Sequence, residues 1–196
     1  ALYFKRMAIT HISQLDLNGV YTFADYMSWQ IQERLELLRG KIALMSPVPS
    51  VYHQKIVSRL HVYIGHFLLE HPCQTFVAPF DVRLYTQDGD TIVQPDICVV
   101  CDESKLDKQV CNGAPDLVVE VLSPGNTRHE MREKFNLYEE AGVQAYWLVN
   151  PSDPSLLRYL LNQEGIFIGK QPLTDEDKLT TALFPGLEIE LAKIFD

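Results

Sequence analysis

Apolar residues recur along the chain at two spacings, and each spacing predicts a type of secondary structure. Between residues 50 and 69 they lie three and four positions apart, which predicts a long helix with one face on a sheet. Thr127 and Glu130 have the spacing of a capping box and predict the start of a second long helix. Thr22 is typical of an N-cap and indicates a short helix over residues 23–27.

Strands are predicted where apolar residues run continuously or alternate with polar ones. The runs at 93–100, 116–122 and 145–149 are almost wholly apolar, which is typical of central strands covered on both faces. The other predicted strands are 75–78, 81–85, a hairpin of 35–38 and 41–45 that turns at Gly40, a hairpin of 156–161 and 165–169, and an edge strand at 187–191. This order predicts an α/β or α+β fold, with a mixed central sheet flanked by helices and additional β-hairpins.

The length and composition indicate one domain. With 196 residues, 46% of them hydrophobic, the chain can bury a single core, and no Ser/Gly/Pro-rich stretch divides it. Residues 1–6 precede Met7 and resemble a tag-cleavage remnant, so we assign the domain to residues 7–196. The sequence has no apolar run of about 20 residues and no signal-peptide pattern, so we expect a cytoplasmic protein without a membrane segment.

Charge and cysteine content narrow the function classes further. A formal net charge of −9 argues against tight non-specific binding to a polyanion, so any nucleic-acid contact must be local. The four cysteines, Cys73, Cys98, Cys101 and Cys111, include one Cys-x-x-Cys pair without a second pair, which disfavours a zinc site. We expect reduced thiols.

Two carboxylates occur within the apolar strands, Asp96 after Gln94-Pro95 and Glu120 in the run 116–122. Isolated ions are costly to bury, so this placement favours pairing with a cation. If the two strands are neighbours, the carboxylates converge, and hard oxygen ligands favour Mg²⁺ or Mn²⁺ over Zn²⁺. The alternative for Asp96 is a turn acceptor at a strand end.

Lys134 shares one helical stripe with Met131, Tyr138 and Ala141, which places it on the face turned to the sheet. A lysine beside a carboxylate pair can orient a water and offset charge that develops on a phosphate. The alternative is a side chain whose ammonium reaches solvent.

Three further residues are candidates, each with a structural alternative. Glu36 lies between Leu35 and Leu37 and is either a site residue or a solvent-facing strand residue. His53, at the start of the first long helix, is a candidate substrate-binding residue or a capping residue. Arg128 begins the second long helix, where positive charge and free amides suit phosphate, or else it is a solvated helix end.

Pro95-Asp96, Glu120 and Lys134 together resemble the PD-(D/E)xK nuclease superfamily. The lysine usual two residues after the glutamate is Leu122 here, and Lys134 fits members in which it has moved to the following helix. The span 115–149 is similar to the Uma-type family of restriction-endonuclease-like bacterial domains, and with the hairpin around Glu36 and the segment from Ser46-Pro47 to His53 the resemblance covers roughly residues 20 to 190.

The resemblance implies a restriction-endonuclease-like fold and a metal-dependent nuclease. Asp96 and Glu120 would bind Mg²⁺, for which Mn²⁺ can substitute, Lys134 would orient the attacking water, and Glu36 would position the metal or Lys134. The expected partner is nucleic acid, DNA in the first place, and a homodimer would form the cleft for a bulky duplex. Two alternatives are a non-catalytic binding or regulatory module, favoured by the lack of a basic stripe, and a small-molecule phosphodiesterase.

Overall fold

A computed structural model describes residues 8–45 and 49–196. The tag remnant predicted at 1–6, the start at Met7 and the Ser46-Pro47 pair lie outside the described residues. Within the described ranges the helices are α1 (Phe23–Ser28), α2 (Val51–Leu68), α3 (Arg128–Ala141) and α4 (Ala192–Phe195). The strands are β1 (Leu35–Leu38), β2 (Lys41–Leu44), β3 (Gln74–Val77), β4 (Asp81–Leu84), β5 (Thr91–Val93), β6 (Ile97–Val100), β7 (Val110–Asn112), β8 (Leu117–Val121), β9 (Ala145–Asn150), β10 (Ser155–Leu161), β11 (Phe167–Gly169), β12 (Leu173–Thr174), β13 (Lys178–Thr180) and β14 (Glu188–Glu190).

A seven-stranded mixed sheet forms the centre of the molecule, in the order β11-β10-β9-β8-β6-β3, with β12 paired to β10. Strands β8 and β9 are parallel, whereas β8 and β6 are antiparallel. Alternate residues point to opposite faces, so Ile97 and Val119 join one core and Cys98 and Val118 join the other. The prediction of central strands buried on both faces is therefore confirmed for the runs 116–122 and 145–149, and for residues 97–100 of the third run.

Each face of the central sheet is covered by a different layer. One core contains apolar residues of α2, α4, β13 and β14. The other core contains Leu137 and Tyr138 of α3 and residues of a second sheet, which has the order β2-β1-β5-β4-β7. The prediction of a mixed sheet flanked by helices and hairpins is confirmed.

The predicted strand over 93–100 is wrong, because the chain leaves one sheet and enters the other in this run. Residues up to Val93 pair in the second sheet as β5, and residues from Ile97 pair in the central sheet as β6. Pro95, which has no N–H for a ladder, lies between them. The crossing places Asp96 immediately before β6.

Two local predictions need correction. The predicted edge strand at 187–191 is confirmed as β14, but it lies in a separate two-stranded sheet with β13 rather than at the edge of the central sheet, and Ile189 packs into the core. At α3 only half of the capping box forms: the Thr127 hydroxyl accepts from the Glu130 N–H, but the Glu130 carboxylate accepts from the Asn126 side chain. The helix still begins at the predicted residue.

The expectation of reduced thiols is wrong for two of the four cysteines. Antiparallel pairing of β3 with β6 aligns Gln74 with Val100, so the next residues outward, Cys73 and Cys101, face each other and form a disulfide. Cys98 and Cys111 are free and buried. The Cys-x-x-Cys pair is thus divided, since Cys98 packs in one core and Cys101 against the other.

The remaining helix and hairpin predictions are confirmed within a residue or two. Thr22 caps α1, α2 spans the predicted stripe, and Gly40 turns the β1-β2 hairpin with a φ of 78°. At that φ only glycine is unstrained, and an added Cβ would lie 2.8 Å from Val20. None of the helices in the described ranges is long and apolar enough to cross a membrane.

Candidate active site

A buried lysine joins two carboxylates from different sheets. The Nζ atom of Lys134 lies 3.0 Å from Glu36 Oε1 and 3.0 Å from Glu120 Oε1. Lys134 is 7% exposed and Glu36 is 2% exposed, so neither reaches solvent as the simpler interpretations required. The geometry favours the site interpretation for both residues, because a buried ion is stable only when it is paired.

Each carboxylate of this group is fixed by a second donor. The Gln94 main-chain N–H donates to Glu36 Oε1 at 2.7 Å, and the Tyr138 hydroxyl donates to Glu120 Oε1 at 2.6 Å. Tyr138 lies one turn after Lys134 on α3, so both reach the same oxygen. Helix α3 and the crossing at Gln94 therefore determine the geometry of the group.

Asp96 lies beside this group. Because Ile97 is paired with Val119, the residue before β6 lies next to Glu120 of β8, as the sequence interpretation required. The Val121 N–H donates to Asp96 Oδ2 at 2.8 Å. Asp96, Glu120 and Lys134 line one cavity of about 80 Å³.

His53 connects α2 to this cavity. Its Nε2 lies 2.9 Å from the Val121 carbonyl oxygen and 3.4 Å from Asp96 Oδ2, and the residue is 6% exposed. Burial alone would lower the pKa of His53, but its hydrogen bond to Asp96 and the charge of Asp96 outweigh this effect and raise it. The structure thus brings His53 to the carboxylates rather than to the surface.

Arg128 is not brought to the same place. It is exposed on the first turn of α3 and is absent from the described residues that line the cavity. Its assignment to substrate phosphate stays a prediction.

Burial and neighbouring charges change the pKa values of Glu120 and Lys134 in this group. Burial raises the pKa of Glu120 to about 7, with Asp96 and Glu36 acting in the same direction and Lys134 opposing them. Burial would lower the pKa of Lys134, but the adjacent Glu120 and Glu36 carboxylates raise it well above its usual value. Lys134 is therefore a cation at neutral pH and cannot serve as a general base.

The donor set fits a divalent cation that keeps part of its hydration shell. Among the described residues, Asp96 Oδ1 and Glu120 Oε2 accept no hydrogen bond, and both residues line the cavity. No group of three His, Cys, Asp or Glu side chains within 8–45 and 49–196 could hold a metal alone. Mg²⁺ suits such a pair, because it is usually held by one or two carboxylates, waters and substrate phosphate.

Sequence reasoning missed three contributors. Tyr138 had a signal, since it follows Lys134 by one turn on the predicted stripe. Arg34, which also lines the cavity, had a weaker one: it precedes Glu36 by two residues, so the two share a strand face. The main-chain N–H of Gln94 had none, because its role depends on the crossing between sheets.

The chain is similar to proteins of one family over most of its length. The family model described as "Uma2: Putative restriction endonuclease" matches residues 23–192. Two uncharacterised proteins of Synechocystis sp. are similar: slr1290 is 28% identical over 144 residues, which are 72% of this chain and 74% of that protein. The second, sll1609, is 25% identical over 136 residues, 67% of this chain and 75% of its own length.

A solved structure has the same fold. The crystal structure of "a putative nuclease belonging to DUF820" from Anabaena variabilis superposes with a TM-score of 0.70 at 19% identity, covering 89% of this chain and 97% of the other. The mixed α+β architecture is the restriction-endonuclease-like nuclease fold, as the resemblance implied.

Proposed function

Because the chain belongs to the Uma2 family of restriction-endonuclease-like proteins, we propose that it is a metal-dependent nuclease that hydrolyses phosphodiester bonds of nucleic acid, DNA in the first place. One observation carries the proposal: a buried lysine is hydrogen-bonded to Glu36 and Glu120, and Asp96 lines the same cavity as Lys134 and Glu120. Such a group is costly for stability alone, which makes it a candidate functional site.

Asp96 and Glu120 are the residues that would hold Mg²⁺ or Mn²⁺, each through the oxygen that accepts no hydrogen bond from a described residue. When bound, the cation supplies charge that stabilises the transition state and lowers the pKa of an attacking water. Val121 and Tyr138 hold the other oxygens of the two carboxylates, so the pair is oriented before any ligand arrives.

Lys134 acts as an electrostatic and orienting group. An ammonium has three N–H donors, and Glu36 and Glu120 occupy two of them. The third is available to orient the attacking water or to donate to a phosphate oxygen as negative charge develops there. Glu36 contributes by fixing the ammonium and by preserving its charge.

His53 positions the carboxylate side of the site. It contacts both Asp96 and the Val121 carbonyl, so it connects the residue before β6 to the end of β8. This contact restrains the Asp96 carboxylate relative to the end of β8. We assign His53 a positioning role, with contact to substrate as its further expected role.

The cavity is small compared with a duplex, and the chain carries a net charge of −9. A homodimer in which two copies flank the substrate would supply the missing contact surface, and we retain it as part of the proposal. Gel filtration with light scattering, with and without DNA, tests the dimer independently of cleavage.

Cleavage of plasmid DNA, single-stranded DNA and RNA with Mg²⁺ or Mn²⁺, and with EDTA, tests the proposal. We expect the parent to cleave only with metal, and Asp96→Ala and Glu120→Ala to be inactive while still folded. The matched control is Asp116→Ala: Asp116 is a half-buried carboxylate that also accepts one main-chain N–H, at 2.7 Å, but it does not line the cavity.

The control should cleave like the parent. If Asp96→Ala or Glu120→Ala retains full activity, the site assignment is wrong. A parent that cleaves none of the nucleic acids contradicts the nuclease proposal: activity on a phosphodiester dye alone would indicate a small-molecule hydrolase, and inactivity on both would indicate the non-catalytic module.

A further inference from the structure

A second, larger cavity adjoins the candidate active site. It has a volume of about 440 Å³ and is lined by the end of α1, the segment that follows it, and residues of β4 and of the sheet crossing. This volume is within the range of small-ligand sites, about 300–1,000 Å³. Arg34 lines both cavities, so the two cavities meet at this side chain.

Arg34 has donor capacity that the described protein does not use. Its Nε donates to the Gln94 side-chain oxygen at 3.1 Å, which fixes the guanidinium, while its Nη2 is buried and has no partner among the described residues. A buried N–H without an acceptor is unfavourable, and guanidinium groups bind phosphate with several donors at once. A phosphate oxygen is the acceptor that suits this position.

Lys134 also lines the active-site cavity, but the proposed function uses its one remaining donor at the reacting water or phosphate. Lys134 is already bonded to Glu36 and Glu120 and is directed at the reacting centre. Arg34 reaches the second cavity as well, which Lys134 does not line. It is therefore placed to bind a phosphate next to the one that reacts.

The far part of the second cavity suits a base rather than a phosphate. Trp29 is half-buried there beside Tyr26, with ring centroids 5.7 Å apart. The Asp81 carboxylate, which accepts from the Tyr26 hydroxyl and the Gln94 amide at 2.9 Å each, would repel an anion. The second Asp81 oxygen accepts no hydrogen bond from the described residues, so it is available to an N–H of a base. The indole ring of Trp29 offers that base a surface for stacking.

We infer that the second cavity is a nucleotide subsite, in which Arg34 binds a phosphate of the substrate strand and the attached base lies against Trp29. The inference rests on the proposed function, since it places the nucleotide next to the scissile bond. It deepens that proposal by assigning recognition of a single, unstacked nucleotide, which a continuous duplex presents only when the strand opens.

Tryptophan fluorescence tests the subsite without any need for cleavage. The chain has two tryptophans, and Trp147 is buried in the core at 1% exposure, so a ligand-dependent change reports on Trp29. The probe is a 5′-phosphorylated single-stranded DNA octamer, titrated in EDTA by fluorescence and calorimetry. We expect saturable quenching in the parent.

The variants separate phosphate binding from base stacking. Arg34→Gln should raise the dissociation constant about tenfold or more, and Arg34→Lys should recover part of the loss because it restores the charge. Trp29→Phe should abolish the fluorescence change and weaken the calorimetric affinity about fivefold or less, since a smaller ring still stacks. The matched control is Arg59→Gln, because the half-buried Arg59 donates to the Asp196 main-chain oxygen and lines neither cavity.

The subsite is refuted if Arg34→Gln binds the octamer like the parent, or if the parent shows neither quenching nor heat. Thermal melting establishes that each variant is folded, and Trp29→Phe with Arg34→Lys carries the test if Arg34→Gln does not fold. The two proposals can fail separately. If the parent cleaves DNA but the octamer does not quench its fluorescence, the subsite alone is refuted. If the octamer quenches the fluorescence but the parent cleaves no nucleic acid, the subsite is supported and the nuclease proposal is refuted.

Discussion

Among the described residues, Lys134 is the cation that forms ion pairs with the carboxylates of Glu36 and Glu120. Replacing Lys134 by methionine removes both ion pairs. Glu36 is 2% exposed and the Glu120 side chain is 13% exposed, and each lies 3.0 Å from the Lys134 ammonium. Deleting one partner of a buried ion pair costs about 3–5 kcal/mol, because the remaining charge stays buried without compensation. For a chain of this length, that cost corresponds to a fall in Tm of about 6–20 °C.

Urea unfolding at pH 8 in EDTA, followed by tryptophan fluorescence, measures this cost. The matched control is Lys178→Met, because Lys178 also bonds a carboxylate, Glu188 at 2.8 Å, but its side chain is 51% exposed. An exposed pair of this kind contributes little to stability, because water screens the two charges. A loss of stability for Lys134→Met within about 1 kcal/mol of the control would refute the conclusion that Lys134 is a buried, paired cation.

A second variant isolates the electrostatic part of the effect. In the Lys134→Met background, Glu36→Gln replaces one of the stranded carboxylates by a neutral amide that still accepts from the Gln94 N–H. We expect the double variant to be more stable than Lys134→Met. If the stability loss of the double variant equals the sum of the losses of Lys134→Met and Glu36→Gln measured separately, Glu36 is not coupled to Lys134.

Two predictions concern protons and metal at Glu120. Burial raises the pKa of Glu120 to about 7, so a proton competes with the metal for this carboxylate below that pH. The affinity for Mn²⁺ should therefore rise about tenfold between pH 6 and pH 8 in calorimetric titrations. An affinity that does not change with pH would contradict the raised pKa. The Tyr138 hydroxyl donates to Glu120 and lowers its pKa, so Tyr138→Phe should move the midpoint of that profile to higher pH, and a midpoint that is unchanged or lower would exclude this contact as a determinant.

The sequence predicted the parts of the fold that depend on local patterns. Apolar spacing and the caps at Thr22 and Thr127 located α1, α2 and α3, and the continuous apolar runs located the central strands. Period-two alternation and the helical stripe also placed Glu120 and Lys134 on converging faces, whereas Asp96 lies beside them because of the sheet crossing. These inferences succeeded because side-chain direction is set by local backbone geometry.

The features that the sequence did not predict depend on contacts between residues that are far apart in the chain. The run 93–100 resembles one strand, and only the sheet assignment shows that Gln94-Pro95-Asp96 is a crossing. The disulfide between Cys73 and Cys101 depends on the pairing of β3 with β6. Burial of Glu36 likewise depends on Gln94 and Lys134, which lie 58 and 98 residues away.

The most direct test of the account is a calorimetric titration of the protein with Mn²⁺ at pH 8, beside Asp96→Ala and Asp116→Ala. The proposed function places Asp96 at the metal, whereas Asp116 accepts the Cys101 N–H and does not line the cavity. We expect binding by the parent and by Asp116→Ala, and none by Asp96→Ala. Equal binding by all three proteins, or none by the parent, would contradict a metal centre at Asp96 and Glu120.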